Sequence, residues 1–185
     1  RMGMKGVPPI NLRNKKVIDY ANSNLRSDFM DIFLGSENIF HIRTAWYGAI
    51  PTIFRRPVLH LNSALGEAQT FYENNLLLIK EHFCKKTKKN LLLDEIFSKN
   101  LAFDLTEQKL NSEDVELREN SEDIKNATIE MISIYENQMS YTKEEEKTQD
   151  YFWDRYLKNI KLHNKENLHG LFKARFSKDF LKKLI

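Results

Sequence analysis

The sequence is poor in cysteine and in long apolar runs. Cys84 is the single cysteine, which excludes an internal disulfide and a cysteine-cluster metal site and fits a reducing compartment. No apolar run approaches the roughly 20 residues of a membrane-spanning helix, and the mean hydropathy is −0.56. The 29 basic and 26 acidic side chains leave a net charge of only +3. Charge therefore gives no reason to expect a nucleic-acid partner.

Motifs that hold phosphates or metals through a fixed spacing are missing too. The chain has no G-x-G-x-x-G, no G-x-x-x-x-G-K and no H-E-x-x-H. It also has no Asp-x-Asp pair, which weakens any hypothesis that requires a divalent metal on a diphosphate. We therefore expect neither a metal site nor a cofactor.

Glycine and proline are scarce beyond the first third of the chain. All four prolines and five of the six glycines fall in the first 66 residues. This distribution predicts short elements and turns in the first third and mostly helices after it. A length of 185 residues suits one ordinary domain or one domain with a helical extension. Because the chain begins with Arg1 rather than methionine, we expect a fragment that lacks an upstream part.

The sequence contains five short runs of apolar and β-branched residues, which are typical of strands. The predicted strands cover residues 16–20, 39–42, 58–61, 76–80 and 115–118. Two helices are predicted between them. Ser27 can cap the first, which Gly35 would end. The second covers residues 46–54, where Pro51 means either a start nearer Ala49 or a kink.

Three further helices are predicted in the last third. Asn120 or Ser121 begins one, and Thr142 with Glu145 forms the capping box of another. The last covers residues 168–184, as one helix or as two with a new start at Ser177. Strands that alternate with helices indicate an α/β fold with a parallel sheet and helices on both faces.

Polar residues concentrate where two predicted strands end. Thr44 follows the strand at 39–42 and opens a helix, and Asn62 follows the strand at 58–61. A loop that leaves a strand and opens a helix is where open α/β sheets bind phosphorylated ligands. No other part of the sequence has a comparable concentration of polar groups at strand ends. A binding site is therefore expected between residues 26 and 62.

Several stretches of this region and a number of residues after it together form a sequence pattern that can be compared with known families. In the first part the pattern is Arg1-Met2-Gly3, Tyr20-Ala21, Arg26-Ser27-Asp28-Phe29-Met30-Asp31-Ile32, Pro51-Thr52-Ile53-Phe54-Arg55-Arg56-Pro57 and Asn62. It continues with Glu119-Asn120-Ser121-Glu122-Asp123-Ile124, Glu130-Met131, Gln149, Phe152-Trp153, His169-Gly170, Ala174-Arg175 and Phe180-Leu181. In this order, the pattern resembles a family of bacterial glycosyltransferases that is associated with surface-polysaccharide gene clusters.

The resemblance implies the C-terminal, nucleotide-sugar-binding half of a two-lobed GT-B glycosyltransferase. Residues 1–119 would form a Rossmann-like α/β donor-binding lobe with a parallel sheet, and residues 120–185 an α-helical C-terminal extension packed on it. Such enzymes transfer a sugar from a nucleotide-sugar donor to a glycan or lipid-linked acceptor, usually without a metal. The implied setting is the cytoplasm or the inner face of the membrane. A missing N-terminal lobe would be the partner, and it would commonly supply the catalytic base.

Donor contacts are expected from groups that suit a diphosphate, a ribose or a base. The predicted donor-binding residues are Arg26, Thr44, Trp46, Gly48, Arg55, Asn62 and Glu67, and Arg43, Tyr47 and Arg56 are further candidates. Guanidinium groups would bind the diphosphate, Asn62 or Glu67 the ribose or base, and Trp46 the base or sugar. Each has a structural alternative, such as a solvated arginine, a helix cap at Thr44 or a core aromatic at Trp46.

The loop Arg43-Thr44-Ala45-Trp46-Tyr47-Gly48 departs from the family pattern, which has small residues there. Either its ligand contacts are rebuilt or donor binding is lost. In the second case the chain is a catalytically inactive, glycosyltransferase-like interaction module whose aromatic C-terminal helices pack on a partner. A third hypothesis is peripheral contact with an anionic membrane surface through the lysine run at 85–89, with a solvated loop as its alternative.

Overall fold

The computed structural model describes residues 8–37, 41–43, 49–66, 74–162 and 174–185. The amino-terminal elements are a 3-10 helix (Tyr20–Asn22), α1 (Asp28–Glu37), β1 (His41–Arg43), α2 (Ala49–Ile53) and β2 (Val58–Ser63). The middle elements are β3 (Leu76–Ile79), β4 (Glu81–Cys84), β5 (Lys89–Asn90), α3 (Leu93–Ser98), α4 (Glu107–Ser112) and β6 (Val115–Arg118). The last are α5 (Ser121–Tyr135), α6 (Lys143–Leu162), β7 (Arg175–Phe176) and α7 (Lys178–Leu184).

The main sheet is parallel, with strand order β1-β2-β3-β7. β1 pairs with β2 from His41 opposite Val58, and β2 pairs with β3 from Leu59 opposite Leu76. All four residues of β3 are buried, which is why its sequence is an unbroken apolar run, as in strands covered on both faces. The structure therefore confirms an α/β fold built on a parallel sheet, with strands at the predicted positions 58–61 and 76–80.

A second, antiparallel sheet has the order β5-β4-β6. β4 and β5 form a hairpin, and β6 pairs with β4 from Val115 opposite Cys84. The strand predicted at 115–118 is confirmed, but its expected place in the parallel sheet is wrong. Lys80 alone separates β3 from β4, so the chain leaves the parallel sheet at once and offers β4 as the partner of β6.

Two predicted helix starts are confirmed by their capping hydrogen bonds. The Asn120 side chain accepts hydrogen bonds from the backbone N–H groups of Glu122, at 3.0 Å, and Asp123, at 3.4 Å. At the start of α6, the Thr142 hydroxyl accepts from the Glu145 N–H at 3.2 Å, and the Glu145 carboxylate accepts from the Thr142 N–H at 2.9 Å. These reciprocal bonds satisfy N–H groups that a helix leaves without internal partners.

An α-helical C-terminal extension was predicted, but the segment also contains a strand. Residues 174–184 of the predicted helix lie within the described residues: β7 takes up the first part, and α7 follows Ser177, the predicted new start. In parallel pairing with β3, the Arg175 N–H bonds to the Asn75 carbonyl at 3.0 Å and the Ser177 N–H to the Leu77 carbonyl at 2.9 Å. The backbone groups of Phe176 point the other way. The Gln149 amide bonds to both, accepting from the Phe176 N–H at 3.1 Å and donating to its carbonyl at 2.7 Å.

Two predictions in the first third are wrong. Residues 16–20 form no strand: Val17 and Ile18 are exposed, and the 3-10 helix begins at Tyr20. Gly35 does not end α1, which continues to Glu37. A Cβ atom at Gly35 would collide with the side chain of Ile50. This glycine therefore serves the close packing of α1 on α2 rather than helix termination.

The structure describes the second predicted helix from Ala49 to Ile53, with Pro51 in the first turn of this range, and the choice between a start nearer Ala49 and a kink stays open. A proline is tolerated there because the first N–H groups of a helix have no internal partner. Residues 46–48 of the prediction lie outside the described residues.

One apolar core joins the sheet to the later helices. It extends from Leu59 to Leu184, α5 packs on β2 and β3, and the rings of Phe152 and Phe176 lie 4.2 Å apart. Residues on both sides of position 119 contribute to this core, and the division into 1–119 and 120–185 stays a prediction. Within the described parts of the chain, none of the helices combines the length and the apolar character needed to cross a bilayer.

Candidate functional site

Two strand ends define the carboxyl edge of the parallel sheet, where the sequence predicts the site. β1 ends at Arg43 and β2 at Ser63, and parallel pairing brings these ends to one edge. Asn62 has a left-handed backbone, with a φ of 57°, and the pairing with β3 shifts register between Leu61 and Ser63. Asparagine tolerates this conformation better than most residues. The half-buried Asn62 therefore stands at an irregular strand end.

A polar cavity of about 690 Å³ lies at the beginning of α1. Its lining residues are Ala21, Asn22, Ser23, Asn24, Arg26, Ser27 and Asp28. Amide, hydroxyl, guanidinium and carboxylate groups thus share one concave surface, which offers both donors and acceptors to a ligand rich in hydroxyl groups. Sequence reasoning selected only Arg26 from this set. The run of small polar residues before the helix was the signal for the others.

Local hydrogen bonds hold the turn that forms this cavity. The Ser27 hydroxyl accepts from the Met30 N–H at 3.2 Å, which confirms its predicted role as helix cap. The Tyr20 hydroxyl accepts from the Ser27 N–H, also at 3.2 Å. The Arg26 guanidinium lies 3.8 Å from the Asp31 carboxylate, which is a long distance for an ion pair.

The structure separates Arg55 from Asn62. Arg55 is exposed, has a φ of 53°, and precedes β2, whereas Asn62 is near the other end of that strand. From Val58 to Asn62 the strand rises about 13 Å. The Arg56 side chain donates to the carbonyl of Ser36 at the end of α1, which is a structural role. Arg55 and Asn62 are thus at opposite ends of β2.

The other predicted donor contacts lie outside the described residues. These are Thr44, Trp46, Gly48 and Glu67, together with the further candidate Tyr47. Their roles, like those of Arg26, Arg55 and Asn62, stay predictions.

Downstream residues of the family pattern serve the packing of the C-terminal segment. Glu130 accepts from the Tyr141 hydroxyl at 2.8 Å, the Ser177 hydroxyl at 2.9 Å and the Lys178 N–H at 3.0 Å. Burial raises the pKa of the Glu130 carboxyl above its usual range. Phe152 and Trp153 are buried in the core. These aromatic side chains of α6 are therefore not available to a partner, contrary to that part of the interaction-module hypothesis.

Among the residues that the structure describes, no group of three or more His, Cys, Asp or Glu could hold a metal ion, and the expected independence from metal stays a prediction. His82 is buried in β4, and burial lowers its pKa to about 4. A histidine that is neutral and enclosed in this way is typical of packing rather than of acid–base chemistry.

The lysine run at 85–89 forms the turn of the β4–β5 hairpin and enters β5. Its side chains are exposed, but acidic residues lie nearby. The backbone carbonyl of Asp114 accepts from the Lys85 N–H at 2.7 Å, and the pKa of Glu116 is lowered mainly by its hydrogen bond from Arg118 and further by the charges of Lys85 and Lys88. Lys80 pairs with Glu119 at 3.2 Å. Peripheral membrane contact stays a prediction, and these carboxylates weaken the positive field it needs.

The geometry above gives the chain a parallel sheet, a polar cavity at α1 and an irregular end of β2. Comparisons with known proteins add no relative to this description. No family model matches the chain, and neither a curated protein nor a solved structure matches it significantly.

Proposed function

We propose that the chain is the nucleotide-sugar-binding half of a glycosyltransferase of surface-polysaccharide assembly, with a Rossmann-like lobe of the GT-B type. The polar cavity at the start of α1 carries the proposal. Four of its seven lining residues, Ala21, Arg26, Ser27 and Asp28, belong to the pattern that resembles the glycosyltransferase family. A parallel sheet with β1, α2 and β2 in succession is the kind of frame in which α/β proteins bind nucleotides at strand ends.

The chemistry of the cavity suits a sugar diphosphate. When a glycosidic bond to a diphosphate breaks, negative charge develops on the leaving group, and a guanidinium such as that of Arg26 stabilises it. The amide, hydroxyl and carboxylate groups of Asn22, Ser23 and Asp28 suit the hydroxyl groups of the sugar. In this proposal Asn62 holds the ribose or base, the acceptor is a glycan or a lipid-linked sugar, and no metal takes part.

A titration with uridine, guanosine and cytidine diphosphates tests donor binding. A ligand that binds the folded chain stabilises it by about 2.7 kcal/mol at a hundred times its dissociation constant, so one of the three should raise the melting temperature in a saturable way. Arg26→Gln removes the guanidinium, and we expect it to weaken this response about tenfold, the usual effect of a lost charge-assisted hydrogen bond.

Two variants serve as controls. Arg13→Gln removes an exposed arginine that is not part of the cavity, and the response should remain unchanged. Asn62→Gly preserves the left-handed backbone while it removes the amide, so weaker binding in this variant assigns the effect to the side chain. The proposal fails if none of the diphosphates stabilises the chain at millimolar concentration, or if Arg26→Gln and Arg13→Gln behave alike.

A catalytically inactive interaction module is the alternative, and one observation favours it. α1 exposes a row of apolar side chains, with Phe29 73%, Ile32 49% and Phe33 47% exposed. An exposed apolar row of this kind is typical of an interaction surface. Failure of all three diphosphates to stabilise the chain would favour the module over the enzyme.

A further inference from the structure

A second cavity, of about 290 Å³, lies at the amino edge of the parallel sheet. Asn75 directly precedes β3 and Arg175 begins β7, and both line the cavity with Tyr141. Its apolar wall includes Met131 and Ile134 of α5. Because the strands are parallel, this edge is opposite the carboxyl edge with Asn62. The cavity is therefore separate from the carboxyl-edge strand ends of the proposed donor site.

Asn75 lines this cavity and has a buried side-chain donor. Its side chain is 2% exposed, its Oδ1 accepts from the Val58 N–H at 2.9 Å, and its backbone carbonyl accepts from the Arg175 N–H at 3.0 Å. These bonds fix the amide in place at the strand ends. Its Nδ2 has no hydrogen-bond partner among the described residues. A buried donor without a partner is unfavourable, and a ligand acceptor would relieve it.

Arg175 supplies two more donors. Its Nη1 donates to the Glu146 carboxylate at 3.1 Å, and its guanidinium carbon lies 3.6 Å from the centre of the Tyr141 ring. Its Nε and Nη2 are buried and have no hydrogen-bond partner within the described part of the chain. The N–H groups of Nε and Nη2 lie on one side of a guanidinium and form the fork that matches two oxygens of a carboxylate.

We propose that this cavity binds a small molecule that joins a carboxylate to an apolar, ring-sized body. The carboxylate accepts from the Arg175 fork and from Asn75 Nδ2, while the apolar body packs on Met131 and Ile134. The volume is at the lower end of small-molecule pockets, which begin at about 300 Å³. It therefore admits a single ring rather than a nucleotide.

The surrounding charges favour a carboxylate over a phosphate. Arg175 is already paired with Glu146 on one side, and the Tyr141 ring on which it stacks donates its hydroxyl to Glu130 at 2.8 Å. Because these two carboxylates already oppose the positive charge of Arg175, a doubly charged anion would be repelled more strongly than a singly charged one. The apolar wall also leaves the outer oxygens of a phosphate without partners.

Benzoate is the probe for this site, with benzyl alcohol and inorganic phosphate as comparison ligands. In nitrogen-15 NMR of the chain, benzoate should shift the Arg175 Nε–H and Asn75 side-chain amide signals in a saturable way. Benzyl alcohol, which has the ring without the carboxylate, and phosphate, which has the charge without the ring, should each bind at least about tenfold more weakly.

Arg175→Lys keeps the positive charge but removes the fork, and it should weaken benzoate binding about tenfold. Arg118→Lys is the matched control, since Arg118 also stacks on a ring, Phe83 at 3.4 Å, and pairs with a carboxylate, Glu116 at 3.1 Å. It should leave binding unchanged. Ile134→Trp fills the cavity without touching a donor and should abolish binding, which keeps the test decisive if Arg175→Lys does not fold.

Three results would overturn the proposal. One is the absence of a saturable benzoate response in the wild-type chain. Another is equal binding of benzyl alcohol or phosphate, because the site would then not select a carboxylate on an apolar body. The last is unchanged benzoate binding in Ile134→Trp. None of these results bears on nucleoside diphosphate stabilisation through Arg26, so the two proposals fail separately.

Discussion

The described residues before position 67 differ from those after position 73 in how they bury apolar side chains. In the later part, β3, α5, α6 and α7 share one core with Phe152, Tyr156 and Phe176 fully enclosed. From the earlier part, the described residues that join this core are Leu59, Leu61 and Leu65. α1 instead leaves three large apolar side chains exposed. Among the described residues, the later part therefore contributes most of the core, and the earlier part is attached to it through β2 and the turn at Leu65 and Gly66.

Structural roles account for pattern residues in both parts, including Ser27 and Arg56 in the earlier one. In the later part Glu130, Gln149 and Phe152 have structural partners that account for their presence. In the earlier part Arg26 lies at a polar cavity and Asn62 at an irregular strand end. The comparison teaches that a resemblance carries functional weight only at positions that packing does not already explain.

The largest expected effect in this comparison of the two parts comes from the removal of a buried aromatic ring. Phe152 is fully buried, 4.2 Å from Phe176, and Phe152→Ala should lower the free energy of unfolding by about 3–5 kcal/mol. Phe29→Ala is the matched change in α1, where the side chain is 73% exposed, and should alter it by less than about 0.5 kcal/mol. Urea unfolding measures both. Similar losses in the two variants would show that α1 is covered in solution.

A somewhat smaller effect is expected at the edge of the parallel sheet. Gln149 takes the place of a neighbouring strand by bonding to both backbone groups of Phe176. Gln149→Met keeps the size but leaves these two groups without partners, at a cost of about 2–4 kcal/mol. Gln108→Met, at an exposed position of α4, is the control and should cost almost nothing. A loss below about 1 kcal/mol for Gln149→Met would mean that water replaces the amide.

Sequence patterns predicted the elements whose causes are local. The cap at Asn120, the capping box at Thr142 and the apolar runs of β2 and β3 each contain their own signal within a few residues. β7 was missed because a strand of two residues has no periodicity, and its formation depends on Gln149, a residue 27 positions away. Gly35 was misinterpreted because its reason is the contact with Ile50 on another helix.

The candidate site was less predictable than the fold. Arg26, Arg55 and Asn62 were predicted as donor contacts from their side-chain chemistry, but β2 separates the last two along its length. The cavity at α1 combines residues that are adjacent in sequence, but Arg26 was the one among them predicted to bind a ligand. The amino-edge cavity joins Asn75 to Arg175. Only strand pairing brings two such distant positions together, so no local pattern could reveal it.

The smallest expected effect on stability is at Arg55, the predicted donor contact that lies on the amino side of β2. With a φ of 53°, a non-glycine residue pays about 1 kcal/mol in backbone energy. Arg55→Gly should therefore be more stable than Arg55→Ala by about 1 kcal/mol, the reverse of their order in a helix. Urea unfolding of the two variants measures this difference.

The same two variants decide whether Arg55 belongs to the donor site. If the guanidinium serves only the turn, stabilisation by nucleoside diphosphates should be unchanged in both variants, because Asn62 and the cavity at α1 remain intact. An equal loss of that stabilisation in both would assign Arg55 to the ligand, since the variants share the missing side chain but differ in backbone strain. The chain before β2 would then have to bring the Arg55 side chain across to the carboxyl edge when a ligand binds, a rearrangement that the few buried contacts of this region would permit.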